Sequence, residues 1–446
     1  MMGRLALIAA ILLLLLVPAF VVGQSLAQDK PGGELPDTLP GSEPRLAMTG
    51  TQAEAGITVL TGDVEIDFPR QAVFTLEAES SAHIVDVRLC YQVDKMKYAE
   101  VVSEGRADFA PATRIDASWV WDMRQASLPP GAEVTYWWTI EDTDGNRLET
   151  SPETMHFDDG RYVWQSLTSS GFLAESQISQ GDEVTIFWYE GDSSFAQDLM
   201  DACKNGLARL TEDIGTYPQQ PIKIYIYAST SDLQGAMIFP HEWTGGVAFP
   251  EFSTIAIGIE PARRDWGKRA LVHELTHLVV YQATFGPYGR LPVWLDEGLA
   301  TYNEGDLDPS LRSYLDKAIR DDTLISVRSL CGPFSAEPEK AYLSYAQSYS
   351  LVEYLLDDYG QDKMLGLLTL FKQGNTHDEA LTEVYGFDID ELDANWRATL
   401  TDQTGPAQKI GLHPAVIVLL AALAIAAALW CVLVVKKRTW RRSSAE

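Results

Sequence analysis

The stretch that most constrains the fold is Leu271-Val272-His273-Glu274-Leu275-Thr276-His277-Leu278-Val279-Val280. Apolar residues surround two histidines and a glutamate, so the segment is expected to be a buried helix whose polar members need partners. Residues four apart sit one turn above each other on a helix. His273 and His277 can therefore offer two imidazole nitrogens to one metal ion, with Glu274 projecting beside them. Zinc accepts this arrangement, taking three protein ligands and keeping one position open. Zinc lowers the pKa of a water to about 7, and Glu274 is placed to accept the proton released. The alternative is a core helix that happens to carry two structural histidines.

Such a site needs a third ligand. Leu291-Pro292-Val293-Trp294-Leu295-Asp296-Glu297-Gly298-Leu299-Ala300-Thr301-Tyr302 offers Glu297. Pro292 suits the first turn of a helix, and Trp294, Leu295, Leu299 and Tyr302 mark its apolar side. A helix, a loop and the start of a second helix would bring Glu297 back against the first. Together, His-Glu-x-x-His and Trp-Leu-x-Glu-Gly-Leu-Ala resemble the gluzincin metallopeptidases, which include thermolysin and the aminopeptidase N family. Within that group the chain most resembles the smaller peptidase MA-like proteins. The resemblance implies that His273, His277 and Glu297 bind one Zn2+ ion and that Glu274 is the general base. The segment opening at Tyr345 resembles an aminopeptidase helix whose tyrosine donates a hydrogen bond to the oxyanion. Tyr345 is the better match by position, with Tyr349 one turn away as the runner-up. The Gly-x-Met-Glu-Asn exopeptidase motif of the aminopeptidases is lacking from the sequence, which leaves endopeptidase activity open. Asp296 is a candidate for orienting a ligand histidine.

The chain has 446 residues, 46% of them hydrophobic, enough for two globular domains. Its formal charge of −29 argues against nucleic acid as a partner, since phosphate contacts need a basic surface. Cys90, Cys203, Cys331 and Cys431 form no metal-site spacing. A Cys203–Cys331 disulfide and free buried thiols are both open.

Taken in order, residues 1–27 read as a signal peptide, with an uncleaved anchor as the alternative. Residues 28–54, rich in proline and glycine, read as a flexible linker. Residues 55–165 show a period of two in short runs at 56–60, 64–68, 72–78, 84–93, 117–121 and 133–140, which suggests a β-sandwich. Trp137 and Trp138 point to opposite faces of one strand, so one of them is expected in the core. Residues 166–402 mix strands (183–189, 222–227, 246–249, 254–259) with helices (194–215, 310–320, 341–359, 362–372, 377–385, 388–401) and form the expected zinc metallopeptidase domain. Asp265 is a candidate cap for the zinc helix, which then runs to about residue 283. In the gluzincin fold the edge strand of the sheet pairs with the substrate, and 254–259 is the candidate edge. His241 reads as a surface loop histidine. After a linker at 403–413, residues 414–435 carry no charge and are long enough for a transmembrane helix. The basic tail 436–446 would then lie in the cytoplasm.

The expected fold class is thus multidomain: an N-terminal all-β immunoglobulin-like sandwich, an α+β gluzincin-type metallopeptidase domain and a C-terminal transmembrane helix. The expected function is a membrane-anchored, extracytoplasmic zinc metallopeptidase acting on a peptide or protein substrate. The alternatives are an inactive peptidase-like surface binding or adhesion protein, and a zinc amide hydrolase with a non-protein substrate.

Overall fold

A computed structural model of the chain describes residues 46–47, 52–54, 56–171, 183–238, 245–287 and 289–403. The leader at 1–27, most of the linker at 28–54, His241, Cys431, and the segments at 414–435 and 436–446 lie outside them. The expected fold class requires correction at both ends. Among the described residues, no helix is long and apolar enough to cross a membrane. The N-terminal strands also do not form the two separately hydrogen-bonded sheets of an immunoglobulin-like sandwich. They are β1 (Leu46–Ala47), β2 (Gln52–Glu54), β3 (Ile57–Asp67), β4 (Gln71–Val93), β5 (Ser103–Arg106), β6 (Ala112–Asp122), β7 (Ala132–Asp142), β8 (Arg147–Glu149) and β9 (Glu153–Phe157), and all nine belong to one sheet. The short helix α1 (Met123–Ala126) follows β6.

The long strand β4 explains the difference. Its first half pairs with β3 and β6 and its second half with β5 and β7, for example Val64↔Phe74, Phe74↔Trp119 and Leu89↔Trp138. The polar run Glu79-Ser80-Ser81-Ala82-His83 predicts a turn between two short strands, yet the strand continues through it with shifts of register. The Ser80 hydroxyl donates to Asp142 there at 2.7 Å. Inward residues at alternate positions, including Phe74, Leu76, Leu89, Trp138 and Ile140, form the core. Trp138 is fully buried and Trp137 only partly, as the alternation predicts.

A second, five-stranded sheet follows, in the order β10 (Gln165–Ser170), β11 (Glu183–Trp188), β12 (Ile222–Tyr227), β14 (Thr254–Gly258), β13 (Gly246–Phe249). The middle three are parallel and the outer two antiparallel to them. The helices α2 (Ser193–Arg209) and α3 (Thr230–Gly235) lie on the connections after β11 and β12. Alternation divides the two faces of this sheet. Phe187, Tyr225, Tyr227 and Ala256 join the core of the N-terminal sheet, which leaves Ile186, Ile224, Ile226, Ile255 and Ile257 for the helical face. The candidate substrate edge at 254–259 is corrected as well. β14 lies between β12 and β13, and β13 is the outer strand.

The zinc-motif helix is α4 (Arg264–Thr284), and every residue from Leu271 to Val280 is buried. Asp265 is not its cap. It sits in the first turn, where its charge suits the helix dipole. Next come α5 (Val293–Asn303), α6 (Pro309–Asp321), α7 (Pro338–Tyr359), α8 (Gln361–Lys372), α9 (His377–Tyr385) and α10 (Ile389–Gln403). Gly298 lets α5 meet α7 closely, because a Cβ there would lie 2.5 Å from the Ser348 carbonyl oxygen. Cys90, Cys203 and Cys331 are free thiols.

The loop after β4 ties the N-terminal sheet to the turn after β13 and to the far end of α4. Lys95 pairs with Glu251 at 2.5 Å and the Met96 N–H donates to the Glu251 carbonyl. Tyr98 stacks on Phe285 with centroids 4.4 Å apart.

Candidate metal centre and active site

Helix α4 places His273 and His277 on one face, and α5 crosses it to bring Glu297 opposite. One donor atom from each of the three lies within 4.8 Å of the others, and all three residues are buried. Glu297 Oε2 is 3.5 Å from His273 Nε2 and 3.8 Å from His277 Nε2. Ligands about 2.1 Å from a tetrahedral zinc stand roughly 3.4 Å from one another. The donors are therefore spaced to surround an ion, and too widely for good hydrogen bonds to one another. Glu297 Oε2 has no hydrogen-bond partner among the described residues, although it is buried. A buried carboxylate oxygen left in this way needs a cation or a proton.

The outer nitrogens of the two rings face carboxylates. His273 Nδ1 is 2.8 Å from Glu304 Oε1, and His277 Nδ1 is 3.0 Å from Asp296 Oδ1. Glu304 in turn pairs with Arg269 at 3.2 Å. Electrostatics agree with the spacing. Burial opposes the charged form of His273, yet Glu297 and Glu304 outweigh it and push the imidazole up to about 10. Without a metal the cluster draws in a proton. The residues thus fit a divalent cation by donor type, spacing and charge.

Glu274 is buried beside the ligands. The backbone N–H of Ala248 holds its carboxylate, while Oε2 has no partner among the described residues. Burial raises its pKa, and His273 and His277 pull it back. Gly246 on β13 lies against it: a Cβ at that position would be 2.9 Å from Glu274 Oε1. The outer strand of the sheet therefore runs directly past this carboxylate.

The two candidate tyrosines diverge. Tyr345 on α7 is buried, with its ring centroid 6.5 Å from that of His273. Burial, then Glu297 and Glu274, push its phenol well above 10. Tyr349 packs against Tyr302 and bonds to Glu353. Sequence reasoning missed Glu304. It lies seven residues, two helical turns, beyond Glu297, and that spacing was the available signal.

A family model described as the Peptidase MA superfamily matches residues 202–402. No curated protein matches the chain. Among solved structures, an M1 zinc metallopeptidase from Deinococcus radiodurans is 12% identical. The alignment covers 74% of this chain and 90% of that one, with a TM-score of 0.35. OgpA from Akkermansia muciniphila is 18% identical over 24% of this chain and 28% of its own, with a TM-score of 0.18. Neither likeness carries the assignment, which rests on the family match and on the two motifs inside it. The zinc-motif helix, the Glu297 helix and the helices packed on them all fall within that match, so this part of the chain is similar to the Peptidase MA superfamily.

Proposed function

We propose that the protein is a zinc metallopeptidase that hydrolyses peptide bonds with Glu274 as general base. The observation that carries this reading is the convergence of His273, His277 and Glu297 within 4.8 Å, with an unpartnered oxygen of Glu274 alongside. A zinc ion held by these three residues would supply a Lewis acid and a water of lowered pKa. Glu274 takes a proton from the attacking water and passes it to the leaving amine. Its environment suits both duties, because burial favours the protonated form while the neighbouring imidazoles favour the charged one. Tyr345 donates its O–H to the developing oxyanion, and a phenol pushed well above 10 remains a neutral donor through the physiological range. The substrate backbone lies along the outer edge of β13 as an added strand, so main-chain bonds hold it past Glu274.

The experiment compares wild type with Glu274→Gln for bound zinc and for cleavage of an unbiased peptide library. Wild type should hold one zinc ion and cut, and the variant should hold zinc and cut about 10²–10⁴-fold more slowly. Equal cleavage by both would remove Glu274 from the mechanism. Zinc in both with cleavage in neither would remove peptide hydrolysis.

A further inference from the structure

Resting on the peptidase reading, we propose that residues 94–102, the loop after β4, form a substrate subsite of the same cleft. The subsite takes an apolar side chain of an extended polypeptide, about two or three residues to one side of the bond that is cut. The hydrogen-bond pattern of β13 sets the place. The Gly258 N–H donates to the Gly245 carbonyl, and the antiparallel register continues through Val247↔Ala256 and Phe249↔Thr254. Hydrogen-bonded pairs alternate in such a ladder. Gly246 and Ala248 therefore turn their backbone groups to the open edge. Glu274 takes the Ala248 N–H, so the carboxylate that handles the proton stands at this point of the edge. Pro250 follows and has no N–H to offer. A peptide added to β13 thus has backbone partners as far as the Ala248 carbonyl, and beyond it depends on side-chain contacts.

The loop lies where those contacts fall. The Met96 N–H donates to the Glu251 carbonyl at 2.7 Å, and Lys95 pairs with the Glu251 carboxylate. Glu251 is three residues past Ala248, a gap that about two or three residues of extended peptide span. Tyr98, Val101 and Val102 are 62%, 62% and 49% exposed. Single exposed apolar residues need no explanation, but three together on one short loop mark a contact surface. The surface is held in shape. Tyr98 stacks on Phe285 and its hydroxyl takes a backbone bond from Gly286, while most of the ring stays open. A surface ordered before binding loses less entropy on binding. Charge narrows the class of side chain. Lys95 pairs with Glu251 and Lys97 with Glu100, so neither lysine is a free cation for an acidic residue, and the net charge of −29 repels one. Side chains alternate along an added strand. Gly246 faces Glu274, whereas Val247 and Phe249 pack on the core of the N-terminal sheet. Every second substrate residue therefore turns toward the sheet that carries this loop.

The test uses one peptide that the wild type cuts, rebuilt with Leu or Asp at each position up to about three residues before and after the bond, and trimmed from each end in turn. The readouts are kcat and KM, with bound zinc measured on the same samples. In the wild type, Leu over Asp should raise kcat/KM about 10-fold at a position two or three residues from the bond, on one side only, and trimming that side should lose as much. Val101→Asp should erase the preference through KM, leaving kcat, zinc and cleavage of the trimmed peptide unchanged. Tyr98→Ala should do the same. Val101 is exposed, so its variant should fold even where loss of Tyr98 from Phe285 loosens the loop. Wild-type rates independent of length and residue on both sides, or a preference that persists in Val101→Asp, would overturn the subsite while leaving the peptidase reading intact. A wild type that binds zinc and cuts no peptide would remove the peptidase reading and the subsite with it.

Discussion

Gly246→Ala separates the metal site from the proton-transfer group. A Cβ at position 246 would lie 2.9 Å from Glu274 Oε1 and 3.1 Å from its Cγ, about half an ångström short of ordinary contact. The clash falls on the end of a side chain, which can swing aside, so the fold should tolerate the change. Alanine also suits a strand at least as well as glycine does. The displaced group is the one proposed to handle the proton. A misplacement of about 1 Å costs on the order of 10²-fold in rate, so half of that predicts a fall of about 10-fold in kcat, or about 1.4 kcal/mol of barrier. No ligand atom is among the contacts at position 246, so bound zinc should stay at wild-type level. The assay is steady-state cleavage of one defined peptide, with zinc content and thermal unfolding measured on the same samples. Full activity in a stable, zinc-loaded Gly246→Ala protein would refute the placement of β13 against the catalytic carboxylate. Loss of zinc would refute the separation of the two functions.

The remaining expectations use the same measurements. Tyr345→Phe should lower kcat by about 10²–10³-fold with zinc retained, while Tyr349→Phe should stay within a few-fold, since Tyr349 bonds to Glu353. Gly298→Ala should do the reverse of Gly246→Ala. Its Cβ meets a backbone oxygen at 2.5 Å, which cannot swing aside, so urea unfolding should show a loss of about 1–3 kcal/mol. Treatment with a chelator should abolish cleavage and lower the unfolding temperature. Zinc at 100 times its Kd should restore about 2.7 kcal/mol, and His277→Ala should show no such response.

What the sequence disclosed depended on how local the signal was. His273, Glu274 and His277 lie within five residues on one helix, so their geometry follows from helical spacing alone. Glu297 was legible because its apolar helix and the family resemblance pointed to the same residue. Tyr345 and Tyr349 differ by one turn, and nothing local tells which one faces the cleft. The answer depends on how α7 rotates against α5, which Gly298 and Ser348 set. The choice of β14 as the sheet edge overlooked a usable cue. Thr254–Gly258 is buried at every residue, as an almost continuous apolar run suggests for a strand covered on both sides. Gly246–Phe249 is only partly buried throughout. The reading of two separate strands failed at Glu79–His83, where a polar run reads as a turn unless the neighbouring strands that continue the pairing are known.

The division of faces on β12 bears on whether the N-terminal sheet is a detachable spacer. Ile222, Ile224 and Ile226 alternate with Lys223, Tyr225 and Tyr227. The second set turns toward the N-terminal sheet: Tyr225 and Tyr227 are buried in its core, and Lys223 pairs with Glu133 at 2.6 Å. Tyr227 also donates to the buried Asp159 at 3.1 Å. Removing residues before 165 would bare Tyr225, Tyr227, Phe187 and Ala256 together, and would strip Lys95 from Glu251 and Tyr98 from Phe285 at the end of α4. At about 1.5–3 kcal/mol for each large side chain returned to water, the three aromatic residues alone approach the 5–15 kcal/mol that holds a whole domain together. A fragment of residues 165–403 should therefore aggregate or unfold well below the 56–403 protein, as followed by circular dichroism on heating. Tyr225→Ser in the longer protein should lower its stability by several kcal/mol without touching a metal ligand. If the short fragment melts cooperatively within a few degrees of the longer one and still binds zinc, the shared core does no more than cover a sheet that is stable by itself.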